Sequence, residues 1–142
     1  MKGVASSLTM LLSGALLFAA PPVAPTVGWS TLKTLNSAQT NSPARALNNK
    51  VVSVPGFMVP LEDDVDQVTE FLLVPFAGAC IHVPPPPPNQ MIYVKLKRNQ
   101  KAKISFTEPF IVTGQLHVAT VDGPYGHVSY NMDGDSVRPY TQ

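Results

Sequence analysis

Pro84 to Pro88 are five consecutive prolines in a chain of 142 residues, and no other feature limits the fold so tightly. Each ring fixes φ near −65° and removes an N–H, so the run favours a polyproline II rod and cannot enter the interior of a sheet. It must cross the surface or be caged by other parts of the fold, while the chain on either side supplies the core. The length allows one domain. The rod then serves either as a rigid spacer between strands or as a wall. As a wall it fixes Cys80 and His82 on one side and offers the amides of Asn89 and Gln90 at its end. A stiff segment loses little entropy on ordering, so Pro84, Pro85, Pro86, Pro87, Pro88, Asn89 and Gln90 are candidate binding residues.

The flanking sequence reads as strands. Lys50–Val54 is β-branched and meets a turn or bulge signal at Pro55-Gly56, after which Phe57–Leu61 resumes. Glu62, Asp63, Asp64 and Asp66 form an acidic hairpin tip. Val68–Val74 is almost continuously apolar, as expected where both faces of a strand are covered. Met91–Leu96 gives a third strand, and 98–107 holds a short helix or a turn. Phe110–Thr120 is a long fourth strand with a bend or bulge at Gly114. A turn at Pro124 and Gly126 leads into His127–Met132, and Asp133-Gly134 reads as a further turn. Five glycine-bent strands in so short a chain predict a mainly β fold. We expect a small closed or half-closed five-stranded barrel, oligonucleotide/oligosaccharide-binding-like, with a short helix at most.

The first 49 residues differ in character. Met1–Ala24 reads as a secretory signal peptide: Lys2 supplies the positive end, Val4–Ala20 is apolar, and small residues lie at Ala19, Ala20 and Ala24. Its apolar core, Leu8–Ala20, is shorter than the roughly 20 residues of a membrane span. No Cys near the cleavage zone could carry a lipid, and the expected location is the periplasm, with no span after leader removal. Residues 25–49 read as an irregular segment in which Trp29, Leu32 and Leu35, at helical spacing, dock a short helix or turn onto the β domain of residues 50–142.

Charge separates function classes. Asp, Glu, Lys and Arg make up 13% of the chain, roughly half the usual share, and loss of Lys2 with the leader makes the mature chain formally neutral. The one basic cluster, Lys95, Lys97, Arg98, Lys101 and Lys103, alternates with Val94 and Leu96 and reads as a solvated strand face and turn. A nucleic-acid surface would need more charge and interleaved aromatics. The acidic tip lacks the glycine and terminal Glu of an EF-hand loop. No phosphate loop or nucleophile elbow is present.

Cys80 is the only cysteine, so the chain makes no internal disulfide. In an extended backbone Cys80 and His82 point to one face, with Ile81 on the other. A thiolate and an imidazole so placed are half of a zinc or copper(I) site. His127, beside a turn, is the freer of the two remaining histidines, His117 being mid-strand, and Met58 and Met132 are soft donors. Cys80, His82 and His127 are therefore the candidate metal ligands, with zinc or copper as the cofactor. Two other readings stand beside this one. Cys80 is a buried inert thiol with His82 bonded to backbone, or it is the nucleophile of a Cys-dependent enzyme. Same-face strand residues lie about 7 Å apart, so the enzyme reading needs a bent backbone, and no group to orient the base can be named.

Gly56–Leu61, Thr69–Pro75 and Gly78–Gln90, with Val112–Leu116 and Tyr130–Met132, are similar to the hallmark run of a bacterial family catalogued as domain of unknown function 3299. The resemblance covers about Trp29 to Tyr140, and the Cys-x-His-proline run is its most specific part. It departs in a short first mature stretch and in Ala77 after Phe76, where a bulkier residue is expected. The resemblance implies a small exported bacterial protein. Members are associated with ABC-type membrane transporters and metal-homeostasis components, so the expected partner is a transporter component or, from the Cys80 and His82 reading, a metal ion.

Overall fold

The computed structural model describes residues 23–36, 40–78, 84–123 and 126–141. Most of the segment expected to be a leader, Cys80, His82 and Pro124 of the expected turn lie outside the described residues. The strands are β1 (Lys50–Pro60), β2 (Gln67–Val68), β3 (Glu70–Val74), β4 (Ile92–Leu96), β5 (Ala102–Lys103), β6 (Phe110–Gly123) and β7 (Gly126–Pro139). Five of them close a ring in the order β1-β3-β4-β7-β6, and β6 returns to β1. All neighbours are antiparallel except β4 and β7, which run parallel. This is the mainly β, five-stranded arrangement that the strand count predicts.

The ring closes because β1 serves two partners. Residues 50–56 pair with β6 and residues 57–60 with β3. Pro55-Gly56 marks the exchange and does not break the strand, correcting the turn or bulge expected there. Pro55 has no N–H to donate. Gly56 lets β3 come close: a Cβ there would lie 2.7 Å from the Val74 carbonyl oxygen. The Gly114 bulge is present, as a register shift between Thr113 and Gly114.

Asp133-Gly134 is not a turn, because β7 runs through it to Pro139. Its glycine answers crowding from the neighbouring strand: a Cβ on Gly134 would sit 2.7 Å from Cδ2 of its partner Leu96. The 98–107 stretch holds the expected turn together with a short strand that was not expected. A 3-10 turn at Lys97–Asn99, with Arg98 and Asn99 at positive φ, leads into β5, which pairs with β2 as a separate two-stranded sheet. Val68 and Ala102 are buried there. Strands of two residues carry no periodicity to read.

The core fills the ring with Phe71, Leu73, Ile92, Val94, Val112, Leu116 and Tyr130, and the N-terminal segment contributes Leu32 and Ala44. Burying a side chain such as Leu32 is worth about 1.5–3 kcal/mol. Phe71 to Val74 are all buried, as the continuous apolar run requires. Residues 25–27 extend along the half of β1 that β3 leaves uncovered. Ser53 N donates to Pro25 O (2.9 Å) and Val27 N to Ser53 O (2.8 Å). Trp29 and Leu32 bound a single helical turn, α1 (Trp29–Leu32), and Trp29 Nε1 donates to Pro55 O at 2.7 Å. The helix expected from the Trp29–Leu32–Leu35 spacing is therefore present and docked.

Candidate functional site

The rod lies in the connection between β3 and β4, and its end leads into β4. Pro84 and Pro85 are exposed, Pro86 is half-buried, and Pro87 and Pro88 are exposed. Pro87 has φ −54° and ψ 150°, which is polyproline II geometry. A 3-10 turn over Pro88–Gln90 then reverses the chain, and Gln90 N donates to Pro87 O at 2.8 Å.

Asn89 faces inward. Its Nδ2 donates to Lys33 O (3.0 Å) and Leu35 O (2.9 Å), while the buried Tyr130 hydroxyl donates to Leu32 O (2.6 Å). The last carbonyls of a helix have no partner within it. Here two side chains from the ring end supply three bonds to the carbonyls at and just past the end of α1. Burial pushes the Tyr130 phenol pKa well up, which keeps it a neutral donor. Asn89 thus ties the end of the rod to α1, and α1 is tied to β1 through Trp29. Gln90 remains half-buried at the end of the turn.

The two described histidines and the two methionine candidates scatter. Met58 and Met132 are buried in the core. His117, on β6, has both ring nitrogens engaged, Nδ1 with Asn49 Oδ1 (2.8 Å) and Nε2 with Asp133 Oδ2 (3.1 Å). His127 is exposed near the end of the β6–β7 ribbon, with Nδ1 against the Asp122 carboxylate. Among the described residues no three His, Cys, Asp or Glu side chains group as metal ligands, and Cys80 and His82 lie outside them. One packing relation bears on His127. Its neighbour Val128 lies in an apolar cluster with Val74 and Met91, the residues just before and just after the 75–90 connection.

A polar group escaped the sequence reading. On the outer face of β3 and β4, Tyr93 donates its hydroxyl to Glu70 Oε2, and Lys95 Nζ lies 2.8 Å from Glu70 Oε1. The Lys95 hydrogen bond, then that of Tyr93, holds the Glu70 carboxyl below its usual range. The Glu70 bond, with burial, pushes Tyr93 up to about 12. Alternation places Tyr93 and Lys95 on one face, but only the register that sets Glu70 opposite Lys95 joins them.

Fold and site together define a small Greek-key β ring that presents an exposed, anchored proline rod. Residues 28–139 match the family model described as "Protein of unknown function (DUF3299)", and the chain belongs to that family. A crystal structure of a DUF3299 family protein from Pseudomonas aeruginosa PAO1 is similar to it at 30% identity and a TM-score of 0.66. The match covers 85% of this chain and 99% of that one. No curated protein matches at a significant level. Among the described residues no helix is long and apolar enough to cross a membrane.

Proposed function

We propose that this chain is an exported, periplasmic binding or accessory module whose proline rod is a protein-contact surface, with a component of an ABC-type membrane transporter as the partner class. The supporting observation is the pairing of exposure with anchorage. Pro84, Pro85, Pro87 and Pro88 face solvent while Asn89 fixes the end of the rod to α1. A spacer needs no such exposure of apolar rings, and a preordered surface loses little entropy on binding. Export is supported by Lys2 and the apolar stretch after it. The test places a photo-crosslinking residue at Pro85 in living cells, with Lys103 as an exposed control. The expected result is one product specific to Pro85 that contains a membrane-transporter component. No product, or the same products from both positions, would remove the reading.

A second reading keeps Cys80, His82 and His127 as a zinc or copper site. Its support is the cluster that brings Val128 against both ends of the 75–90 connection, and with it the strand that carries His127. Asp122 engages Nδ1 of His127 and leaves Nε2 for a metal, the arrangement by which carboxylates orient metal-bound histidines. The Cys-dependent enzyme has no such support.

A further inference from the structure

Resting on the reading of the rod as a contact surface, we infer that its partner is a protein groove lined with Trp and Tyr side chains, gripping two of the rod's three edges. Polyproline II has three residues per turn. Pro84 and Pro87 therefore project from one edge, Pro85 and Pro88 from a second, and Pro86 from the third. Exposure follows that period: Pro86 alone is half-buried, and the four prolines of the other two edges are exposed. One edge is seated on the protein and two are left outward, side by side.

The chemistry of those edges selects the partner. A proline offers no N–H, so a run of them presents only ring faces and carbonyl acceptors. The Pro87 carbonyl already accepts from Gln90 N. A complementary surface must supply flat apolar faces together with hydrogen-bond donors. Trp and Tyr provide both in one side chain, and aromatic-lined grooves are the general solution for binding PxxP segments. Asn89 holds the rod in place from within, so the amide at its end is structural and the prolines alone face the groove.

The test uses an aromatic probe and needs no partner. The mature protein, 13C-labelled at proline, is titrated with N-acetyl-tryptophanamide and followed by NMR. Ring-current shifts should appear together at Pro84, Pro85, Pro87 and Pro88, several-fold larger than at Pro86 and at prolines outside the rod. Pro84→Ser with Pro87→Ser should remove the first edge's share. Absent shifts, shifts shared equally by Pro86, or shifts that survive in the double variant would overturn the inference. That failure is distinct from failure of the contact-surface reading. A Pro85-specific crosslink found with no aromatic shifts leaves the surface in place and removes only the aromatic groove.

Discussion

Asn89 and Leu35, 54 positions apart, are joined by a 2.9 Å hydrogen bond from the Asn89 side-chain amide to the Leu35 carbonyl, and the same amide nitrogen reaches Lys33 O. The bond sets the end of a proline rod against the end of a helical turn. Asn89→Ala should leave both carbonyls without a partner. Because they are not deeply buried, water recovers part of the loss, and the cost should fall toward the low end of about 1–3 kcal/mol. A drop in Tm of several degrees is the expected outcome. Asn89→Asp should be no better, since a carboxylate cannot donate. A stability unchanged in both variants would show that the rod is held by something else.

Two glycines of the ring should respond unequally to a methyl group. A Cβ on Gly114 would meet the backbone of Asp133, which cannot move without breaking the β6–β7 ladder. A Cβ on Gly134 would meet Leu96 Cδ2, the far end of a side chain that can change rotamer. Gly114→Ala should therefore cost the upper part of the about 1–3 kcal/mol typical of overpacking, and Gly134→Ala less. Urea unfolding of the two variants measures the order directly, and the reverse order would contradict the ring geometry.

The Glu70–Tyr93–Lys95 group predicts two limbs in the pH dependence of stability. Glu70 is lowered in the fold, so its contribution is complete above its ordinary value of 4.5 and is lost as pH falls through the folded value. Tyr93 is raised from 10.0 to about 12, so its contribution is complete below pH 10 and is lost as pH rises toward 12. Tm measured against pH should show a flatter acid limb in Glu70→Gln. It should show a flatter alkaline limb in Tyr93→Phe, with the share of buried Tyr130 remaining. Limbs unchanged in both variants would rule out the coupling.

Processing should respect the N-terminal pairing. Pro25 O and Val27 N bond to Ser53, so residues 25–27 belong to the sheet surface. Cleavage is expected before Pro25, and intact mass of the protein purified from its native host checks it. A mature chain starting beyond Val27, or one still carrying Met1, would disagree.

Sequence pattern exposed what depends on composition within a strand. The run from Phe71 to Val74 announced burial on both faces, and Gly114 announced a bulge. It failed where a glycine or proline has more than one physical use. Asp133-Gly134 has the chemistry of a turn, yet Gly134 lies inside β7, where it leaves room for Leu96. Pro55-Gly56 has the chemistry of a break, yet it lets β1 change partner. The direction of Asn89 was unreadable for another reason. An amide beside an exposed rod looks like a ligand group until the helix end 54 residues upstream is placed beneath it.

The remaining prediction separates the uses of Cys80. A metal-bound thiolate is deprotonated and shielded, so Zn²⁺ should protect Cys80 from alkylation and a chelator should restore its reactivity. A catalytic thiolate should react quickly with no chelator present, and an inert buried thiol only on unfolding. The His127–Asp122 pair sharpens the distinction, because an oriented histidine ligand depends on its carboxylate. Asp122→Asn should weaken zinc affinity by about 10–100-fold if His127 is a ligand, and leave it unchanged if His127 is only a surface residue. His127→Ala should weaken it at least as much, whereas His117→Ala, already engaged by Asn49 and Asp133, should leave it intact. Metal analysis of protein purified from the periplasm without a metal-binding tag completes the test. Unchanged metal content and unchanged zinc-dependent Tm in Cys80→Ser and His82→Ala would dispose of the metal site and leave the proline rod as the working surface of the molecule.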